Sequence, residues 1–151
     1  MKTAAFTLAG LVGLAVAIYA VFPARDHVLI TAAIAAERDP APRWLLTEPT
    51  LTDLATYMKT RFGDAPFPIR PDHVVGLQQI SVLDRDAVIV RYEIAGEPVT
   101  YAVQRTRGIA PDAVERVDRE LRAVGWRIGD FTVAAVGRDA TRATWLPLLR
   151  N

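Results

Sequence analysis

The chain of 151 residues contains no cysteine. Without a thiol it can form no disulfide, thiolate nucleophile, iron–sulfur cluster or covalent link to c-type haem. Histidine is almost as scarce, since only His27 and His73 are present. We interpret His73 as a surface residue rather than a metal ligand, and His27 as an interface residue rather than the axial ligand of a tetrapyrrole. We therefore expect no metal site and no cofactor.

Residue patterns typical of catalysis are also missing. Ser81 is the only serine, and it lies in a strand pattern without the G-x-S-x-G motif. Asp84 and Asp86 flank a predicted turn, where aspartate is favoured for its geometry, so we do not interpret them as a catalytic pair. The sequence has no glycine-rich loop that could hold a phosphate. We expect a protein that is not an enzyme and has no catalytic residue.

Charge is balanced along most of the chain. Lysine occurs only at Lys2 and Lys59, and the formal net charge is +1. Outside residues 1–24 the basic and acidic side chains cancel. A nucleic-acid interface needs a basic patch that can neutralise phosphates. We therefore expect no nucleic-acid partner. The stretch Gln104-Arg105-Thr106-Arg107 could contact an acidic partner, and a solvated loop is the equal alternative.

A run without any charged side chain extends from residue 3 to residue 24. As an α-helix it would be long enough to cross the ~30 Å hydrocarbon layer of a bilayer. A cleavable signal peptide is the alternative, but this run is longer than a typical h-region. We predict an uncleaved, single-pass transmembrane helix. Because the short positive flank at Lys2 favours a cytoplasmic N-terminus, we expect the bacterial inner membrane with a periplasmic C-terminal domain.

Small side chains recur along this predicted helix. Small residues allow a second helix to approach closely, which favours association within lipid. The alternative is that an alanine-rich segment contains such spacings by chance. We predict a helix-packing interface for a partner helix or a flat apolar molecule, formed by Ala5, Ala9, Gly10, Gly13 and Ala17.

The sequence pattern divides the chain into three parts. Residues 1–24 form the predicted anchor, residues 25–43 a juxtamembrane helix with a proline linker, and residues 44–151 an extracytoplasmic domain. The helix predicted over 27–38 is apolar nearly all round, so it either lies on the membrane surface or packs against protein.

An α+β fold is predicted for the third part, as a small antiparallel sheet with flanking helices. Thr50 and Asp53 form a capping-box pattern at the start of a helix that Gly63 ends. Alternating apolar residues then predict three strands over 74–105. A proline at position 111 and apolar spacing predict a helix over 111–124, followed by a hairpin or a bent strand over 126–136.

The body resembles the extracytoplasmic domain of membrane-anchored anti-sigma factors. The likeness covers about residues 48–138. It rests on Asp53-Leu54-Ala55, Ala87-Val88-Ile89-Val90-Arg91-Tyr92, Val99-Thr100-Tyr101-Ala102-Val103, Gly125-Trp126 and Phe131-Thr132-Val133-Ala134-Ala135-Val136-Gly137. Those proteins hold a sigma factor with a cytoplasmic domain, and only two residues precede the predicted membrane helix here. The resemblance therefore implies a shared fold and no sigma binding.

These observations predict a non-catalytic accessory subunit of a larger membrane protein complex. Its domain would dock or brace partner subunits, with photosynthetic or respiratory electron-transfer assemblies as natural hosts by analogy. The expected partners are other membrane protein subunits and the lipid bilayer. The alternative function is a membrane-anchored periplasmic sensor or signalling module, related in fold to anti-sigma outer domains.

Overall fold

A computed structural model describes residues 26–63, 66–68, 73–106 and 113–150 of the chain. Three α-helices and seven β-strands lie in these ranges. The helices are α1 (Asp26–Arg38), α2 (Leu51–Phe62) and α3 (Arg142–Arg150). The strands are β1 (Leu46–Thr47), β2 (His73–Val82), β3 (Arg85–Ile94), β4 (Glu97–Arg105), β5 (Ala113–Asp118), β6 (Leu121–Ile128) and β7 (Phe131–Arg138).

All seven strands belong to one antiparallel sheet with the order β1-β2-β3-β4-β7-β6-β5. Two three-strand meanders, β2–β4 and β5–β7, therefore meet where β4 pairs with β7. The hairpin turns at Leu83-Asp84 and Ala95-Gly96 have positive φ at both residues. This conformation matches the right-handed twist of the strands that the turns connect.

The face of the sheet that carries α2 and α3 holds most of the large apolar side chains. Strands β3 and β4 send alternate residues to this face, as the pleat of a strand requires. The side chains that these two strands send to this face are buried together in one cluster: Val88, Val90, Tyr92, Ile94, Val99, Tyr101 and Val103.

The opposite face carries α1. Alanines at 87, 102, 123 and 134 keep this surface low, so the apolar side of α1 packs closely on β4, β6 and β7. At Gly125 a Cβ atom would lie 3.2 Å from Ile30 Cδ1. The apolar helix, predicted to lie either on the membrane surface or against protein, packs against protein, because Leu29, Ile30, Ala33 and Ile34 are buried there.

The predicted start and end of α2 are confirmed. The Thr50 hydroxyl accepts a hydrogen bond from the Asp53 amide at 3.1 Å, and the Asp53 carboxylate accepts one from the Thr50 amide at 3.0 Å. This is the reciprocal capping box that the sequence predicts. Gly63 ends the helix with a φ of 72°. The meander over β2–β4 and the final hairpin are also present.

The prediction of a helix over residues 111–124 is wrong. Its described part forms β5, a turn at Arg119-Glu120 and β6. Consequently, Glu115 forms an ion pair with Arg122 across the hairpin, at 2.8 Å. The last described residues of the chain form α3, whose Trp145, Leu146 and Leu149 are buried.

The predicted fold class is therefore corrected. A small sheet with flanking helices was predicted, but the sheet has seven strands and forms the largest part of the described structure. None of the described helices is both long and apolar enough to cross a membrane. The longest, α1, has 13 residues and so spans only ~20 Å. This finding also corrects the prediction of a single-pass membrane chain; the predicted segment itself, residues 3–24, lies outside the described residues.

Candidate functional site

The predicted helix-packing residues Ala5, Ala9, Gly10, Gly13 and Ala17 lie outside the described residues. Their role stays a prediction. His73 begins β2 and is exposed. In the part of the chain that the structure describes, no group of three or more His, Cys, Asp or Glu side chains could hold a metal ion.

Two acidic residues near the first hairpin have structural contacts. Asp84 lies in the turn with a φ of 58°. The Asp86 carboxylate accepts a hydrogen bond from Arg61 Nη2 at 2.8 Å and so ties β3 to α2. The Ser81 side chain is exposed near the end of β2, and His73 lies at the start of the same strand. These residues form no nucleophile–base arrangement of the kind that catalysis needs.

Arg105 is used inside the domain. Its Nη2 donates to the Phe62 carbonyl at the end of α2, at 2.9 Å. Its guanidinium carbon lies 5.2 Å from the centroid of the Phe131 ring, within cation–π range. The basic residue that could have contacted an acidic partner therefore fastens α2 to the sheet.

The feature best suited to binding is the free edge of β2. Strand β1 has only two residues, which pair with Gly76 and Leu77. Beyond that point no strand within the described ranges lies beside β2. We call the residues 78–82 the β2 edge: Gln78, Gln79, Ile80, Ser81 and Val82.

The hydrogen bonds to β1 show which groups of the β2 edge face outward. The carbonyls of Val75 and Leu77 accept from the amides of Glu48 and Leu45, at 3.0 and 2.7 Å. Residues of an antiparallel strand alternate the side to which their N–H and C=O point. The main-chain groups of Gln79 and Ser81 therefore also point outward, where no described strand meets them.

The two edges of the sheet differ in charge. Strand β5, at the opposite edge, carries Glu115, Arg116 and Asp118. Glu115 pairs with Arg122 and Arg142, and Asp118 with Arg38. Charged side chains of this kind prevent a sheet edge from pairing with another chain. The β2 edge contains no charge and no proline, so it lacks this protection.

One face of the β2 edge borders a groove, and a second groove lies nearby on the opposite face of the sheet. On one side a groove of about 530 Å³ lies between α1 and the sheet, and it is lined by Ala32, Ala35, Ala36, Arg38, Asp39, Gln78, Ile80 and Ile89. On the other side a groove of about 470 Å³ runs between β1 and α2. Tyr57, in the wall of this second groove, donates its hydroxyl to Gln79 Oε1 at 2.8 Å. An incoming strand would direct alternate side chains toward the two faces of the sheet, one of which carries the first groove.

A buried polar cluster fixes the end of α1 beside the first groove. The Thr100 hydroxyl donates to Glu37 Oε2 at 2.6 Å, and Arg91 donates to the main-chain carbonyls of Ala36 and Glu37. The Glu37 side chain is 5% exposed. Burial raises the pKa of the Glu37 carboxyl, although the Thr100 hydrogen bond and the Arg91 charge act in the opposite direction.

The raised pKa gives a testable pH dependence. The folded protein holds the Glu37 proton more strongly than the unfolded chain does, so the free energy of unfolding falls as the pH rises through the raised pKa. We expect Glu37→Gln to remove this loss. Urea unfolding of both proteins between about pH 4 and pH 7 should show the stability difference moving in favour of the variant as the pH rises. A difference that stays constant over this range would contradict the prediction.

Comparison with known proteins adds no assignment, because no family model, curated protein or solved structure matches the chain. The resemblance to anti-sigma outer domains stays a prediction. The sequence pattern does not predict the β2 edge. A signal was present in the uncharged run from Val74 to Leu83, but it showed only that a strand forms and not that one side of it stays unpaired.

Proposed function

We propose that this protein is a non-catalytic accessory subunit that docks a partner protein at the β2 edge. The partner contributes an extended segment, which adds to the sheet as a further strand. The observation that carries this proposal is an uncharged sheet edge whose outward main-chain groups, at Gln79 and Ser81, meet no described strand.

Strand addition provides both affinity and selectivity. Main-chain hydrogen bonds to the outward N–H and C=O groups hold the segment, and pockets for its alternate side chains select its sequence. Here the groove beside α1 offers alanine methyl groups with Ile80 and Ile89, which suits an apolar side chain. The groove beside α2 offers hydroxyls from Thr56, Tyr57 and Thr60, which suits a polar one.

The remainder of the molecule supports a rigid docking surface. Helix α1 forms one wall of the first groove and is held by Arg91 and Thr100. Helix α2 forms a wall of the second and is held by Arg61, Tyr57 and Arg105. The predicted location in the bacterial inner membrane depends on residues 1–24 and stays a prediction.

The proposal can be tested with Ser81→Pro. Proline removes the outward N–H of residue 81, and its ring obstructs an added strand, while a sheet edge tolerates it. A loss of ~1.4 kcal/mol lowers affinity tenfold. We therefore expect the full-length variant to leave its native complex about tenfold more readily, as measured by the fraction that co-purifies after mild extraction.

Val117→Pro is the matched control, because residue 117 has the corresponding outward position on β5. Circular dichroism should show that both variants keep the fold. The proposal fails if Ser81→Pro co-purifies as well as the native chain, or if Val117→Pro is lost to the same extent.

A further inference from the structure

The β2 edge is complementary to itself. We propose that the strand it accepts is the β2 edge of a second copy of this chain, antiparallel to the first about a two-fold axis at Ser81. This inference rests on the proposed function and names its partner. The result is a continuous antiparallel sheet that passes through both copies.

The position of the axis follows from which residues face outward. Hydrogen-bonded pairing requires outward-facing residues opposite one another, and on the β2 edge these are Gln79 and Ser81. An axis at Gln79 would bring Ser81 against Leu77, whose outward side β1 already occupies. An axis at Ile80 would bring Val82 beside Gln78, where β1 ends. An axis at Ser81 avoids β1 and lets the two Ser81 residues exchange both main-chain hydrogen bonds.

This register pairs apolar with apolar side chains. Ile80 of one copy lies opposite Val82 of the other, and the arrangement occurs twice by symmetry. Both residues belong to the face that carries α1. They form non-hydrogen-bonded pairs, in which the two Cα atoms approach to ~4.5 Å and the side chains are closest. Ile80 is only partly buried in the single chain, so pairing covers apolar surface that water now contacts.

The absence of charge fits self-pairing in particular. Across a two-fold axis, a charged residue near the axis meets its own copy, and like charges on opposed strands are destabilising. The β2 edge has no such residue. Strand β5 does, with Glu115 and Asp118 on a six-residue strand. Of the two sheet edges, β2 is thus the one at which two copies can approach.

The pairing is weak in isolation. A strand pair of about five residues on each side buries less than the ~1,200 Å² of a stable complex, so we expect rapid exchange and a dissociation constant on the order of 0.1–1 mM. Attachment of both copies to one assembly would raise their effective concentration to the millimolar range and favour the pair. A covalent trap therefore tests it better than a size measurement.

The test is oxidative cross-linking of the purified full chain with Ser81→Cys. The native chain has no cysteine, so any disulfide-linked dimer reports on position 81 alone. Residues in a hydrogen-bonded antiparallel pair have Cα atoms ~5.5 Å apart, which suits a disulfide. Under mild copper-catalysed oxidation we expect the dimer to form at least tenfold faster than in the controls, as followed by non-reducing electrophoresis.

The controls are Gln79→Cys and Val117→Cys. In the proposed register the two copies of residue 79 lie four residues apart along the strands, ~13 Å, too far for a disulfide. Val117→Cys measures how fast two chains become linked by random collision, because residue 117 is exposed on β5 at the opposite edge of the sheet. Equal rates for Ser81→Cys and Val117→Cys overturn the inference, and so does faster linking at Gln79→Cys. If Ser81→Pro then still releases the protein from its native complex, the proposed function survives with a different partner; if it does not, both fail.

Discussion

Replacing Trp145 with alanine is expected to lower the free energy of unfolding by about 3–5 kcal/mol. Trp145 is 1% exposed and joins α3 to the sheet. Its indole lies flat against Gly137 of β7, where a Cβ atom would come within 2.7 Å of Trp145 Cε2. Its Nε1 also donates to the Arg138 carbonyl at 2.9 Å. The substitution therefore removes a buried ring and a hydrogen bond, and it leaves a cavity over β7.

Chemical denaturation of the native and variant proteins measures this effect. Leu148→Ala is the control on the same helix, since Leu148 is 38% exposed and should cost less than about 1 kcal/mol. If the two variants lost similar stability, α3 would not depend on Trp145 for its attachment to the sheet.

Local sequence patterns predicted the helix and strands whose stabilising contacts join residues that are near one another in the sequence. The capping box at Thr50 and Asp53 satisfies helix-end amides within four residues, so its outcome depends little on the remainder of the fold. Strands β3 and β4 send alternate residues to two buried faces, one filled by large apolar residues and the other covered by α1. Short runs of apolar residues bounded by turn residues are typical of strands that are buried on both faces.

The error at residues 111–124 has a physical cause. Strand β5 is an exposed edge, so neither face of it is buried and its apolar residues do not alternate. The turn at Arg119-Glu120 contains no glycine, asparagine or proline, although Arg119 has a φ of 56°. With no turn signal, apolar residues spaced three and four apart predict a helix. The β5–β6 hairpin is instead stabilised because β6 also pairs with β7. This pairing involves residues outside the 111–124 segment, so the pattern of that segment does not indicate it.

The candidate site was unpredictable for a related reason. An open edge is a property of strand order, and the order β1-β2-β3-β4-β7-β6-β5 depends on the non-local pairing of β4 with β7. It also depends on β1 being only two residues long, too short for a strand pattern. Composition could show that Gln78–Val82 is uncharged. Only the sheet shows that no described strand covers its outer side and that a groove borders the face that carries α1.

A second large effect is expected at the buried cluster beneath α1. Arg91 is 13% exposed and donates to the main-chain carbonyls of Ala36 and Glu37 at the C-terminal end of α1. Its guanidinium also lies 5.4 Å from the centre of the Trp44 ring. Arg91→Met keeps much of the aliphatic stem but removes the donors and the charge. The Glu37 carboxylate then stays buried with Thr100 as its described hydrogen-bond donor.

Removing one partner of a buried ion pair costs about 3–5 kcal/mol, because the other charge is left uncompensated. We expect this loss for Arg91→Met at neutral pH, measured by urea unfolding. Arg61→Met is the control, since Arg61 and Asp86 form an exposed pair worth at most ~1 kcal/mol. In the Glu37→Gln background no buried carboxylate remains, so Arg91→Met should then cost ~1–3 kcal/mol less. If its cost were the same in both backgrounds, Arg91 would act as a cap for α1 and not as the counter-charge of Glu37.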